Sequence, residues 1–195
     1  MTEALRKTTE RRELQSRAVK LLVLAGVFVA VEIVTEYLLS FTLGMQYRIS
    51  LTFLIRAIAG FAIGAIGAAV SALTDILGGF IFYGGSMIIG LTVVRALQGL
   101  VPGLLLHRKM TIPRIIVSAV ISTFFLNIAG LLVRYWTTGT PLSWKLATPS
   151  LIVYAYSTVA EIFVLLALRI KVIPVIKALL YNSGTWASAE KTTEE

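Results

Sequence analysis

Residues 50–83 read SLTFLIRAIAGFAIGAIGAAVSALTDILGGFIFY, an unbroken apolar stretch whose only charges are Arg56 and Asp75. A membrane span takes roughly 17–25 mostly apolar residues. The stretch is therefore too long for one helix and long enough for two short ones. At its middle lies Gly64-Ala65-Ile66-Gly67. Glycine adopts backbone conformations closed to other residues, so this tetrad permits a tight reversal with no polar loop. The reading is a pair of helices, near 50–66 and 68–83, turning back on each other inside an apolar solvent.

The same texture extends in both directions. Further spans are expected near 18–39, 89–106, 113–134 and 149–169. The fold class that follows is an all-α membrane protein, a bundle of six transmembrane helices. Composition agrees: 57% of residues are hydrophobic and 14% charged, against roughly 25% charged in a soluble domain. Pro113 suits the first turn of helix five, and Pro149 the start of helix six. Residues 1–17 read as a polar cytoplasmic arm, 18–170 as the membrane domain, and 171–195 as an interfacial segment and polar tail, with Pro174 interrupting residues 172–182. No small-residue cleavage site follows the run Leu21 to Val31, so it is expected to be a retained span and not a signal peptide. Cysteine is absent, which excludes disulfides, thiolate nucleophiles and iron–sulfur sites.

The net charge of +8 is a topology signal more than a nucleic-acid patch. Arg6, Lys7, Arg11, Arg12, Arg17 and Lys20 precede the first span; Arg108, Lys109 and Arg114 follow the fourth; Arg169, Lys171, Lys177 and Lys191 follow the sixth. A six-span path puts all of these on one side. The other side holds Arg48 and Lys145, with Arg134 at its boundary. The positive-inside rule places both termini in the cytoplasm.

Ionisable groups inside spans are costly and face protein or a water-filled cavity. Here they are Glu32, Glu36, Arg56, Asp75, Arg95 and Glu161. Glu32 and Glu36 share a helical face, as do Arg95 and Gln98, Asn127 and Arg134, and the stripe Tyr154, Ser157, Glu161. Arg95, Gln98, Asn127 and Tyr154 are expected to converge on an outward-opening pocket, with Arg95 as the fork for a carboxylate and Arg56 nearby. The competing reading is that these groups pair with one another, Asp75 with Arg56 for example. Most outer aromatics, Phe41, Phe82, Tyr83, Tyr135 and Trp144 among them, are interfacial anchors, while Tyr47 and Trp136 are candidates to close over a ligand. His107 reads as a surface residue. No metal-ligand pair, nucleophile with a base, or phosphate-binding loop occurs; no catalytic residue, cofactor or metal is expected, and ATP hydrolysis would have to come from a partner. Gly26 and Ala30, and Gly60 and Gly64, are small pairs at the spacing that lets helices approach closely.

Several runs resemble one family. Ile49 to Gly60 (ISLTFLIRAIAG), Gly64, Leu73 to Gly78 (LTDILG), Gly90 to Gly99 (GLTVVRALQG), His107 to Lys109 and Asn127 are similar to the membrane-embedded substrate-binding S components of energy-coupling-factor (ECF) vitamin importers, folate-type branch, over residues 18–170. The resemblance implies capture of a small-molecule vitamin at a bacterial plasma membrane, with residues 40–49 as an occluding loop. It implies docking through Gly26 and Ala30 onto an ECF module, a transmembrane coupling subunit that carries two ATPase subunits. The branch usually has a proline-bearing, aromatic-rich segment before helix four and an arginine early in helix six. This chain has neither, in residues 82–90 and 147–154 respectively. Folate carries two carboxylates, so the expectation ranks pantothenate ahead of folate, with neutral pyridoxine-type vitamins third. A self-sufficient secondary transporter or channel is the alternative; paired interrupted helices, a mark of many such transporters, are not evident.

Overall fold

Gly64 adopts φ 63° and ψ −138°, a backbone state that favours glycine, and the chain reverses there. The computed structural model describes residues 2–38, 41–43, 47–49, 51–85, 88–107, 109–139 and 144–171; the interfacial segment and polar tail expected after 171 lie outside the described residues. The elements are α1 (Thr2–Ile33), continued by a π-helical turn at Val34–Leu38; a hairpin of β1 (Phe41–Leu43) and β2 (Tyr47–Ile49); α2 (Thr52–Ile63); a 3₁₀ turn (Gly64–Ile66); α3 (Gly67–Tyr83); α4 (Ile89–Leu105); α5 (Ile112–Ala119), joined through a π-helical segment (Val120–Phe125) to α6 (Leu126–Thr138); and α7 (Trp144–Lys171).

Two expectations are corrected. Helix α1 begins at Thr2, so the polar arm continues the first helix. The last helix begins at Trp144, which places Pro149 inside it and not at its start. The segment expected as an occluding loop contains the antiparallel hairpin, with Phe41 opposite Ile49 and Leu43 opposite Tyr47.

The α2–α3 hairpin lies backbone to backbone on α4. A Cβ placed on Gly60 would stand 2.7 Å from the backbone nitrogen of Gly103; one on Gly103, 2.3 Å from the carbonyl oxygen of Gly64; one on Gly99, 2.2 Å from that of Gly67. Descending α4 therefore meets first α3 and α2, then the turn itself. Half-buried His107 closes this end with its ring against Gly64, more enclosed than the surface position expected. Below the site, Ala57, Phe61, Leu106, Ile115 and Leu165 form one apolar cluster across α2, the residue capping α4, α5 and α7.

The outward surface is apolar. On α1 and its π turn the exposed side chains Val19, Leu22, Val23, Val27, Val31 and Val34 recur at helical spacing. The stretches Gln15–Leu38, Thr52–Phe82, Ile112–Thr138 and Ala147–Ile170 are long and apolar enough to cross a membrane, and Ile89–Leu105 is a shorter apolar helix. Thr52–Phe82 is the stretch that folds back at Gly64. The chain is a multi-pass membrane protein: such a surface suits lipid.

The glycine contacts make a prediction. Gly99→Ala sets a methyl group against a backbone carbonyl that cannot yield, and overpacking costs typically about 1–3 kcal/mol. Thermal unfolding in detergent should show a clear drop in Tm. Gly26→Ala, with nothing among the described residues within 4 Å of the new carbon, should not shift it. Equal Tm for Gly99→Ala and wild type would refute the close approach.

Candidate functional site

A chain of buried polar groups crosses the bundle from α1 to α7. Glu32 and Glu36 face inward from α1 and its π turn, both buried. Arg56 of α2 reaches between them. Its Nε donates to Glu32 Oε1 at 2.5 Å, its Nη2 to Glu36 Oε2 at 3.0 Å, and its Nη1 to Gln98 Oε1 at 2.8 Å. The second oxygen of Glu32 accepts from Ser71 and Thr74 of α3, each at 3.4 Å. Arg95 of α4 donates from Nη2 to Glu36 Oε1 at 2.6 Å and from Nη1 to Gln98 Oε1 at 3.3 Å; its Nε lies 3.9 Å from Asp75 Oδ1. Thr92 donates to the other Asp75 oxygen at 2.6 Å. Asp75 thus makes its close contact with Arg95, while Arg56, the partner expected from sequence, feels its charge only at longer range.

Gln98 accepts from two arginines, so its amide oxygen faces them and its nitrogen faces the other way, toward Asn127 Oδ1 at 2.9 Å. The Asn127 amide donates to the carbonyl of Thr123 at 2.5 Å, and the Thr123 hydroxyl donates to the Glu161 carboxylate. Burying any one of these groups alone would be costly; linked, each supplies what its neighbour needs.

Both π-helical segments carry site residues. Widening the helical ladder by one residue opens backbone carbonyls, which then need donors. Thr35 donates to the Val31 carbonyl at 2.7 Å and Ser122 to that of Ser118 at 2.6 Å; Asn127 serves that of Thr123. Glu36 sits in the first π turn and Thr123 in the second. Pro102, inside α4, lacks the N–H that would bond the Gln98 carbonyl.

Above this floor is a cavity of about 650 Å³, within the range of roughly 300–1,000 Å³ typical of small-molecule sites. Arg56, Gln98, Pro102 and Thr123 line its deep end; Ile88, Arg134, Thr138 and Ser150 line the end near the helix termini; Tyr154 and Ser157 of α7 form one wall. Arg95, Gln98, Asn127 and Tyr154, expected to converge, all line it, as does Arg56, expected nearby. Arg95 is the more accessible arginine, its side chain 31% exposed against 7% for Arg56. Trp136 is 88% exposed and does not line the cavity; the side chain of Tyr47 lies outside the described residues. Glu161 is buried one turn beyond Ser157. Gly26 and Ala30 are exposed, on the α1 face opposite Glu32.

Several cavity residues escape a reading of the sequence. Ser122, Thr123, Thr52 and Phe53 line it, and nothing in an apolar helix marks one threonine as facing a cavity. Arg134 has a signal, its seven-residue spacing from Asn127, but its place at a span boundary suggests an interfacial anchor.

This arrangement of helices has a solved counterpart. The crystal structure of FolT bound with folic acid matches it with a TM-score of 0.67 and 23% sequence identity, over 73% of this chain and 87% of that one. The fold is similar to that of FolT. At this identity the likeness speaks for the fold. No protein-family model and no curated protein sequence matches the chain.

Proposed function

We propose that this chain is the substrate-capture S subunit of an ECF-type importer for a water-soluble vitamin. The observation that carries the reading is the likeness of fold to a vitamin-bound protein, FolT with folic acid, together with a polar-floored cavity of ligand size within the bundle. In this reading the chain crosses the membrane six times, the α2–α3 hairpin contributing two short passes, and both termini are cytoplasmic. It has no ATPase chemistry of its own. Energy comes from two ATPase subunits through a transmembrane coupling subunit.

The ranking of pantothenate over folate depends on Arg95 as a free fork for one carboxylate. Arg95 is already answered by Glu36 and Asp75. That removes the ground for the ranking, and the FolT likeness supports folate. We therefore place folate first and pantothenate second, with pyridoxine-type vitamins third.

The test begins with the full chain purified in neutral detergent. Mass spectrometry of retained small molecules, followed by titration with folate, pantothenate and pyridoxine, should show one of them bound tightly. Co-expression with ECF ATPase and coupling subunits should yield a complex that imports it on ATP addition. Failure to bind any of the three ends the vitamin reading. Uptake by the chain alone, driven by a proton gradient, would establish the secondary transporter instead.

A further inference from the structure

The deep end of the cavity is already neutralised. Arg56 and Arg95 stand against Glu32, Glu36 and Asp75, two cations against three carboxylates. An anion added there would meet net repulsion, while the amides of Gln98 and Asn127 offer neutral hydrogen bonding. Arg134 differs. It lines the same cavity at the end near the helix termini and is exposed, and no ion pair involves it among the described residues.

The sequence extends that observation to the connecting segments. The chain has ten side-chain carboxylates: Glu3, Glu10, Glu13, Glu32, Glu36, Asp75, Glu161, Glu190, Glu194 and Glu195. Residues 39–50 between α1 and α2, 84–88 between α3 and α4, and 135–149 from the end of α6 into α7 contain Arg48 and Lys145 and no carboxylate at all. None of those segments supplies a side-chain carboxylate to pair with Arg134. A cleft edged by one sign of charge and walled by apolar groups concentrates the field and draws in the opposite charge.

The geometry points to Arg134 as the receptor for the anionic group of the captured solute. The inference rests on reading the cavity as the capture site. The substrate class it defines is an elongated molecule with a neutral, hydrogen-bonding head and an anionic tail. The head meets Gln98 and Asn127 at the deep end. The tail stays at the entrance, where a guanidinium offers two parallel donors to a carboxylate. An arginine at a helix end can also meet lipid phosphate; both sources share the anion, and the experiment separates them.

Wild type, Arg134→Ala and Arg134→Lys are purified in neutral detergent and titrated with folate and pantothenate, and with the analogue of each in which every carboxylate is a carboxamide. For the acid that binds, Arg134→Ala should raise Kd about 10- to 100-fold, the worth of a hydrogen bond to a charged group, and Arg134→Lys should recover part of the loss. The carboxamide should bind wild type weakly and be indifferent to the substitution. Repeating the titrations in nanodiscs of anionic phospholipid should preserve this order. If the acid binds Arg134→Ala within about threefold of wild type in detergent, Arg134 serves lipid or solvent and the inference falls, while vitamin capture stands. A carboxamide that binds as tightly as the acid overturns it equally. If wild type binds pyridoxine and neither acid, the anionic reading falls and Arg134 with it. If it binds none of the three vitamins, capture itself falls.

Discussion

Arg56→Ala should leave little folded protein. The substitution removes the cation between Glu32 and Glu36, both buried, and the donor to Gln98. Among the described residues, Glu32 would keep only the weak hydroxyl contacts of Ser71 and Thr74 at 3.4 Å, and Glu36 would keep Arg95. Breaking a buried pair by deleting one partner costs about 3–5 kcal/mol, a large share of the roughly 5–15 kcal/mol that holds most folds. Lipid offers the stranded carboxylates no refuge. Pairing the loss with Glu32→Gln removes one of those charges, so Arg56→Ala/Glu32→Gln should be more stable than Arg56→Ala alone. Thermal unfolding and monodispersity in detergent measure both. A Tm for Arg56→Ala within about two degrees of wild type would mean that the α1–α2–α4 contact does not depend on the pair. The inverted order of single and double variants would locate the cost elsewhere.

The same network shows what can be read from a membrane sequence and what cannot. The α2–α3 reversal is legible because two glycines interrupt an apolar stretch too long for one span, and the backbone at Gly64 favours glycine. The set Arg56, Arg95, Gln98, Asn127 and Tyr154 is legible because polar residues in a span must face inward, and so toward each other. Their pairing is not. Glu36 meets Arg95 across 59 positions of sequence, in a geometry that depends on a π turn which rotates its side chain. No pattern in the sequence announces that turn. Pairing Asp75 with Arg56 fails because helical faces fix which groups look inward but not their heights; in the structure Asp75 stands level with Thr92 and Arg95. Pro149 misleads for a related reason. A proline in the first turn lacks only a bond that the turn lacks anyway, which favours reading Pro149 as a helix start; in the structure it sits a turn and a half inside α7 and forgoes one helical hydrogen bond there. Trp136 is ambiguous because an aromatic near an outer end suits either an anchor or a ligand contact, and only the turn of α6 shows which way it points.

Ala30→Trp should abolish vitamin uptake while leaving vitamin binding intact. The expectation follows from the capture-subunit proposal and from two faces of one helix. On one face of α1, Glu32 and Glu36 hold the cavity floor. On the other, Gly26 and Ala30 are exposed, and among the described residues nothing lies within 4 Å of a carbon added at Gly26. An indole there meets only lipid, which accommodates it. A partner helix cannot: small residues four apart allow backbones to come close, and an indole between them holds the helices apart. The isolated variant should therefore bind with a Kd within about twofold of wild type and keep its Tm, while ATP-driven uptake by the complete complex in proteoliposomes falls to background. Phe163→Trp, on the exposed face of α7, controls for indole in the membrane and should leave uptake unchanged. If Ala30→Trp transports normally, the Gly26/Ala30 face borders lipid alone, and the coupling subunit docks elsewhere on the bundle. Should binding fail together with uptake, the α1 faces are not independent, and the substitution reaches the cavity through Glu32 and Glu36. The split between binding and uptake thus tests the division of labour on α1 whichever vitamin is carried.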